Sequence, residues 1–334
     1  MDPENAHNLT ISLLSKGILP YTKKYESKRL TNKVAGYDLN NPVGLAAGFD
    51  KNARVYNQLF KLGFSNVEIG SITPYKQKGN LKPRIFRYDD CIINHCGLNN
   101  HGSYIIKNRL SKSNINNNDE LVRREQGKLL GISISKNNNS KNQIKDFIKN
   151  INNLQDYSDY MVLNISCPNV DKFDLDINEI LEKTRSICKK PLFIKLSPDL
   201  SYDEYFNIGD LCVKNNIDGI ILTNTLKSTN SKNQYLEKGG ISGSDELYTS
   251  SNNILKNMYS RYKDKLIFVG CGGILTPEQA YEKIKLGASF IQIYSGFIYS
   301  GPNIIYDINK YIDNQLEKEG FENIKDAVGS SAGI

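Results

Sequence analysis

Eight short apolar runs, separated by stretches of helical period, constrain this chain more than any other feature of its sequence. They are NPVGLAA (41–47), NVEIGSI (66–72), KLLGISI (128–134), YMVLNIS (160–166), PLFIKLS (191–197), GIILTN (219–224), KLIFVG (265–270) and SFIQIY (289–294). Runs so nearly continuous in apolar residues are buried on both faces, as in a parallel sheet covered by helices. The intervening segments, among them ARVYNQLFKLG, NQIKDFIKNINNL, INEILEKTRSICK and PEQAYEKIKLG, carry the apolar spacing of amphipathic helices. Eight such units close naturally into a (β/α)8 barrel. An open doubly wound sheet is the alternative, but it wants a GxGxxG turn after its first strand, and GLAAGFDKN is not one.

The 334 residues fit one large barrel domain with short extensions, because single α/β barrels of about 250 residues or more are ordinary. We expect an N-terminal helical extension over 1–38 and the barrel over 39–334. In the extension, LTISLLSKGILPY reads as a short helix ending at Gly17 and Pro20, with core packing or docking on a membrane surface as its two uses. Residues 73–103 are too long for a simple connection, and PRIFR with CIIN predicts an inserted β-hairpin subdomain. The Asn-rich tract SKSNINNNDE (111–120) reads as an exposed loop without chemistry. The connection SKNQYLEKGGISGS (231–244) follows the sixth run, where long barrel loops tend to be functional.

With 39% hydrophobic and 24% charged residues the chain is globular. Its net charge of +7 favours an anionic ligand, a membrane surface or nucleic acid. Six cysteines (91, 96, 167, 188, 212 and 271) contain no CxxC pair and no His stands at zinc-finger spacing, so reduced thiols and no metal site are expected. No apolar run reaches the roughly 18 residues that span a bilayer.

Catalytic side chains of a barrel come from the C-terminal ends of its strands. Those ends read Ala46, Ala47 and Gly48 with Lys51; Ser71; Asn164 with Cys167 and Asn169; Lys195; Thr223 with Asn224; Gly272 with Gly273; and Tyr294 with Ser295. Small residues let a flat ligand approach the backbone, while Asn, Lys and Thr supply donors and acceptors, which describes a pocket for a planar heterocycle. The glycine motifs GGISG (239–243) and GCGGI (270–274) suit a phosphate held by backbone N–H groups. Lys195 lies inside the apolar run FIKL, where a buried lysine calls for a nearby anion. Cys167, in NISCPN at a strand end, is packing material, a metal ligand or a base.

Taken in order, NPVGLAAGFDKN, EIGSITPYKQKGNLKPRIFR, INHCGLNNHG, LNISCPN, KLSPDL, TNT, GGISG, GCGGI and IQIYSGFIYSGP resemble dihydroorotate dehydrogenases over nearly the whole chain. PRIFR, the N-terminal DPENAH segment and the length resemble the class 2, quinone-reducing branch. The resemblance implies an FMN-binding (β/α)8 barrel that oxidises (S)-dihydroorotate to orotate in pyrimidine synthesis, a base taking the C5 proton and the flavin taking the C6 hydride. Carried over by motif, Cys167 would be the base. Lys51, Asn94, Asn164, Asn169 and Asn224 would bind substrate. Ala46, Ala47, Gly48, Ser71, Ser133, Asn164, Lys195, Thr223, Ser242, Gly243, Gly272, Gly273, Tyr294 and Ser295 would line the FMN site, and Arg84 would face the quinone tunnel. Ubiquinone or menaquinone is the implied acceptor, with peripheral association at the inner face of a cell membrane, or at the mitochondrial inner membrane in a eukaryote, a cytoplasmic location as the alternative, and no nucleic acid.

The chain departs from the class 2 pattern at four places. Cys167 stands where that branch carries Ser, as in soluble class 1 enzymes. GISISKN replaces GxNxGKN, putting Ser133 at a flavin-contacting Asn position. Leu98 replaces a Phe beside the base, and the family's first N-terminal helix is not in the sequence. These changes bear on the acceptor, so fumarate or NAD is the alternative to a quinone. An RNA-modifying flavoprotein resembling dihydrouridine synthase is a remoter alternative; the charges form no basic stripe and no helical RNA-binding domain follows the barrel.

Overall fold

In the computed structural model, which describes residues 1–113, 118–165, 176–228 and 238–333, all eight apolar runs become strands of one closed parallel barrel. The strands are β1 (Val43–Leu45), β2 (Asn66–Ile72), β3 (Leu129–Ile134), β4 (Tyr160–Asn164), β5 (Leu192–Leu196), β6 (Gly219–Leu222), β7 (Ile267–Cys271) and β8 (Phe290–Ile293). They neighbour one another in chain order, and β8 closes the ring on β1 through Ile291 opposite Val43 and Ile293 opposite Leu45. The doubly wound alternative is therefore excluded.

Side chains alternate along each strand, and the alternation divides the apolar core in two. Ile69, Ile132, Met161, Leu163, Ile194, Leu196 and Ile220 pack outward in the large cluster that includes the surrounding helices. Leu129, Tyr160, Val162, Phe193, Ile221, Val269 and Phe290 form a separate interior cluster, closed by Val34 and Leu39 of a small hairpin, Asn32–Val34 with Tyr37–Leu39. Each fully buried side chain of this size stabilises by roughly 1.5–3 kcal/mol. The same interior parity carries polar residues inward: Asn66, Glu68, Ser133, Asn164, Lys195 and Gln292, all buried.

The helices begin where capping chemistry allows. Helix Tyr202–Lys214 starts at a reciprocal Ser201–Glu204 box and helix Pro277–Lys285 at Thr276–Gln279, each satisfying two otherwise orphaned backbone donors. The N-terminal helix runs Pro3–Ser15, earlier than its apolar run suggests, because Asp2 accepts from the Asn5 N–H at 2.9 Å and Pro3 occupies the first turn. No helix among the described residues is long and apolar enough to cross a membrane.

Two differences from the sequence reading concern the loops. The Asn-rich tract is partly helical, with Ser111–Ser113 ending helix Ser103–Ser113 and Asn118 opening helix Asn118–Glu125; 114–117 lie outside the described residues. The inserted hairpin, Ile85–Arg87 with Ile92–Asn94, does form, and it is half of a four-stranded antiparallel sheet. Gly240–Ser242 pairs with Ile92–Asn94 and with Leu226–Lys227, so the connection after β6 is stitched to the insert after β2. This sheet roofs the C-terminal mouth of the barrel.

Candidate active site

Between the roof and the strand ends lies a cavity of about 700 Å³ to which every barrel strand or the turn just after it contributes. The β1 end supplies Ala46, Ala47 and Gly48, with Lys51 just beyond. Strands β2 to β5 supply Ser71, Ser133, Asn164 and Lys195 in turn. From β6 come Thr223 and Asn224, from β7 Gly272 and Gly273, and from β8 Tyr294 and Ser295, while the roof adds Asn94, Ser242 and Gly243. Cys167 and Asn169 lie outside the described residues, as does 231–237 of the connection after β6.

One wall is a hydrogen-bonded relay. Ser71 Oγ and Ser133 Oγ are 2.8 Å apart, Asn164 donates from Nδ2 to Ser71 Oγ at 2.8 Å, and Asn224 donates to Asn164 Oδ1 at 3.4 Å. The relay holds the Asn164 amide in one orientation. From above, Asn94 donates to the Gly240 carbonyl at 3.3 Å, tying the roof to itself. Lys51 Nζ donates to the Gly48 carbonyl at 2.7 Å. Three amides and a lysine thus converge on one space, the donor and acceptor set that a small polar ring with a carboxylate needs.

Lys195 projects from the barrel interior, its Nζ 3.7 Å from Cys271 Sγ. One layer down is Glu68, a residue the sequence reading passed over. Burial raises its carboxyl above the usual range, and the positive charge of Lys195 opposes that rise. Gln292 Nε2 donates to Glu68 Oε2 at 2.7 Å and Tyr160 OH lies 3.4 Å from the same oxygen. Glu68 stands in NVEIG as Lys195 stands in FIKL, a charge inside an apolar run, and that signal was available for both. Gln292 and Cys271 also line the cavity.

At the opposite end the backbone is bared. Gly243 has φ +93°, and a Cβ there would lie 2.9 Å from the Ser295 Cβ. Gly273 has φ +71°, and its Cβ would meet the Tyr248 backbone at 2.4 Å. The Ser295 hydroxyl oxygen is buried with no hydrogen-bond partner among the described residues. A buried hydroxyl without a partner costs about 1–3 kcal/mol, so a polyanionic acceptor beside it fits the site. An elongated ligand with a flat ring over the small residues and a phosphate at this glycine cradle matches the donors present.

Arg84 does not line the cavity. Its Nε and Nη2 reach Glu4 of the N-terminal helix at 3.1 and 2.8 Å, and its Nη1 donates to the Lys78 and Asn80 carbonyls at 2.8 and 2.9 Å. Burial pushes the Glu4 carboxyl up, but hydrogen bonds and charge from Arg84 and Lys82 outweigh it and hold it below the usual range. Arg84 therefore fastens that helix to the insert. Nearby on the same helix, His7 packs edge-on against Phe49 at 5.2 Å. Burial, helped by the Lys51 charge, lowers it to about 4.

The chain is similar to known proteins over nearly its full length. The family model described as Dihydroorotate dehydrogenase matches residues 29–316. A protein of Arabidopsis thaliana called dihydroorotate dehydrogenase (quinone), mitochondrial, is 34% identical over 99% of this chain and 79% of its own. One of Bartonella tribocorum called dihydroorotate dehydrogenase (quinone) is 37% identical over 98% and 92%. The crystal structure of dihydroorotate dehydrogenase from Eimeria tenella in complex with ferulenol superposes with a TM-score of 0.92 at 32% identity, covering 100% of this chain and 96% of that one.

Proposed function

The chain belongs to the dihydroorotate dehydrogenase family, and from that premise we propose that it oxidises dihydroorotate to orotate and passes the electrons to a quinone. The observation that carries the reading is the convergence of Asn94, Asn164 and Asn224 with Lys51 and Lys195 on one cavity at the barrel mouth. The cofactor is a flavin, and we infer FMN from the glycine cradle at Gly243, Gly272 and Gly273 and the Ser295 hydroxyl, which has no hydrogen-bond partner among the described residues. Bound there, FMN supplies the acceptor for the hydride that leaves C6 of the substrate.

The chain's own residues do the rest. Asn94, Asn164, Asn224 and Asn169 hold the substrate ring and carboxylate, with the relay from Ser133 through Ser71 keeping Asn164 aligned. Lys51 adds a cation for the carboxylate. Lys195 stands inside the barrel wall as a cation for the negative charge that arrives with the electrons. Cys167, in the NISCPN motif that follows β4, takes the C5 proton; its assignment and that of Asn169 rest on the motif. A free thiol titrates near ~8.5, far below a serine hydroxyl, so Cys acts as a base with less help from its surroundings.

The acceptor and its location extend the proposal. On the N-terminal helix Leu9 and Leu13 are 48% and 39% exposed, and Ile18 beyond it is 56% exposed. The i, i+4 spacing puts Leu9 and Leu13 on one helix face, which suits peripheral docking on a membrane that carries the quinone. The test is anaerobic: adding dihydroorotate to the yellow protein bleaches it, and a ubiquinone analogue restores the colour while fumarate and NAD do not. A flavin that stays oxidised with dihydroorotate refutes the reaction. Recovery with fumarate or NAD alone replaces the quinone by a soluble acceptor.

A further inference from the structure

Behind the glycine cradle, outside the cavity, sits a lysine that the mechanism above does not use. Lys283 of helix Pro277–Lys285 is completely buried, and its Nζ lies 2.8 Å from Ser251 Oγ and 2.8 Å from Asn252 Oδ1 of helix Asp245–Tyr262. Among the described residues no carboxylate is within ion-pair reach of it. The Ser251 hydroxyl in turn faces two carbonyls, Tyr248 at 3.1 Å and Gly272 at 3.2 Å. Its one hydrogen goes to one of these while its oxygen accepts from Lys283.

The Gly272–Gly273 peptide is trans. In a planar trans peptide the C=O and the N–H point in opposite directions. The Gly272 carbonyl faces the Ser251 hydroxyl at 3.2 Å, away from the cavity that Gly272 and Gly273 line, so the Gly273 N–H is turned toward the cavity. Side-chain bulk cannot supply this: a Cβ at Gly270 would crowd the Lys283 stem at 3.1 Å, and one at Gly273 would strike Tyr248. The glycines of this turn clear the path for the lysine stem on one side and for a ligand on the other.

We propose that Lys283 is a positioning residue for the cofactor phosphate, aiming the Gly273 N–H through Ser251 and adding an uncompensated positive charge behind the turn. The inference rests on the FMN reading and assigns a residue that reading leaves idle. Burial lowers Lys283 to about 7. The charged and titratable groups around it are few: Cys271 on β7, Glu282 on its own helix, and Tyr248, whose ring lies 5.5 Å away and whose hydroxyl is hydrogen-bonded to Glu282. At pH 8 the lysine is mostly neutral in the free protein, and a phosphate dianion placed before it draws a proton on.

The experiment compares FMN with riboflavin, which lacks only the phosphate, by calorimetry on the full chain stripped of flavin. For Lys283→Met, FMN affinity falls roughly tenfold or more, the order expected for one unit charge at an effective dielectric of about 20, while riboflavin affinity stays within about twofold. Equal losses for both ligands mean a structural role and overturn the proposal, as does an unchanged FMN affinity. The unsubstituted chain gives a second reading that does not depend on the variant folding. At pH 8, FMN binding takes up protons, seen as a heat that varies with buffer ionisation enthalpy, and riboflavin binding does not. A heat independent of buffer for FMN, or the same uptake for riboflavin, refutes it. If the unsubstituted chain binds neither flavin, the FMN reading itself falls.

Discussion

Replacing Arg84 by Met should free the N-terminal helix while leaving the barrel intact, and the sizes of the interactions say why. The Arg84–Glu4 pair is largely buried, with side chains 8% and 10% exposed, and it makes two charge-assisted hydrogen bonds across 80 residues of sequence. Removing one member of such a pair costs about 3–5 kcal/mol when the other charge is left buried and uncompensated; Lys82 Nζ stays 3.3 Å from Glu4, so the low end of about 3 kcal/mol applies, and the Lys78 and Asn80 carbonyls also lose their donor. The helix's buried apolar anchors are Ile11 and Leu14, together worth roughly 3–6 kcal/mol. The ion pair is therefore about half of the attachment. At roughly 1.4 kcal/mol per factor of ten, the amides of Pro3–Ser15 should lose about two decades of hydrogen-exchange protection. The loss should stop before residue 25, because Tyr25, Ser27 and Arg29 all bond Asp313 on helix Ile304–Glu319, at 2.8, 2.7 and 2.9 Å. Unchanged protection over Pro3–Ser15, with a loss confined to the hairpin Ile85–Asn94, would show that the pair braces the insert and not the helix.

Three further outcomes are expected. Cys167→Ser slows flavin reduction by dihydroorotate by orders of magnitude in stopped-flow measurements while FMN stays bound; an undiminished rate removes Cys167 from the mechanism. Gly243→Ala, with φ +93° and a Cβ 2.9 Å from Ser295, purifies with little flavin absorbance, the strain of about 1–3 kcal/mol falling on the cradle; full flavin content would refute the cradle assignment. His7 is neutral when docked and titrates near 6.5 when released, so docking is constant above pH 6.5 and weakens by up to about 1.4 kcal/mol per pH unit as pH falls from 6.5 toward 4. Glu4, held below the usual carboxylate range, adds a second loss at still lower pH. Exchange protection of Pro3–Ser15 that is flat between pH 7 and 5, or that stays pH-dependent over that same range in His7→Gln, would contradict this.

The barrel was legible because each strand lies in a nearly continuous apolar run, and position along the run alone placed Ser71, Asn164, Lys195 and Thr223 at the mouth. Depth was harder to read. Glu68 and Gln292 are single polar residues inside NVEIG and FIQI, and it is the two-residue alternation of the closed barrel that turns them inward. Lys283 in YEKIKLG looks like any helix-surface lysine; only the packing of helix Asp245–Tyr262 over it, a tertiary fact, makes it buried. Arg84 was read from a local motif, while its partner Glu4 lies 80 residues away and no local pattern announces it. The pairing of Gly240–Ser242 with the insert was hidden for the same reason, since short strands carry little signal of their own.

That pairing has a consequence for how the molecule comes to exist. Asn94 sits opposite Gly240, 146 positions later in the chain, so the ceiling over the reaction space is woven from stretches synthesised far apart. Non-local pairings of this kind must first meet the entropy of closing a long loop, and they form late. A ribosome still making the second half of the polypeptide holds strands and helices in plenty, but no chamber.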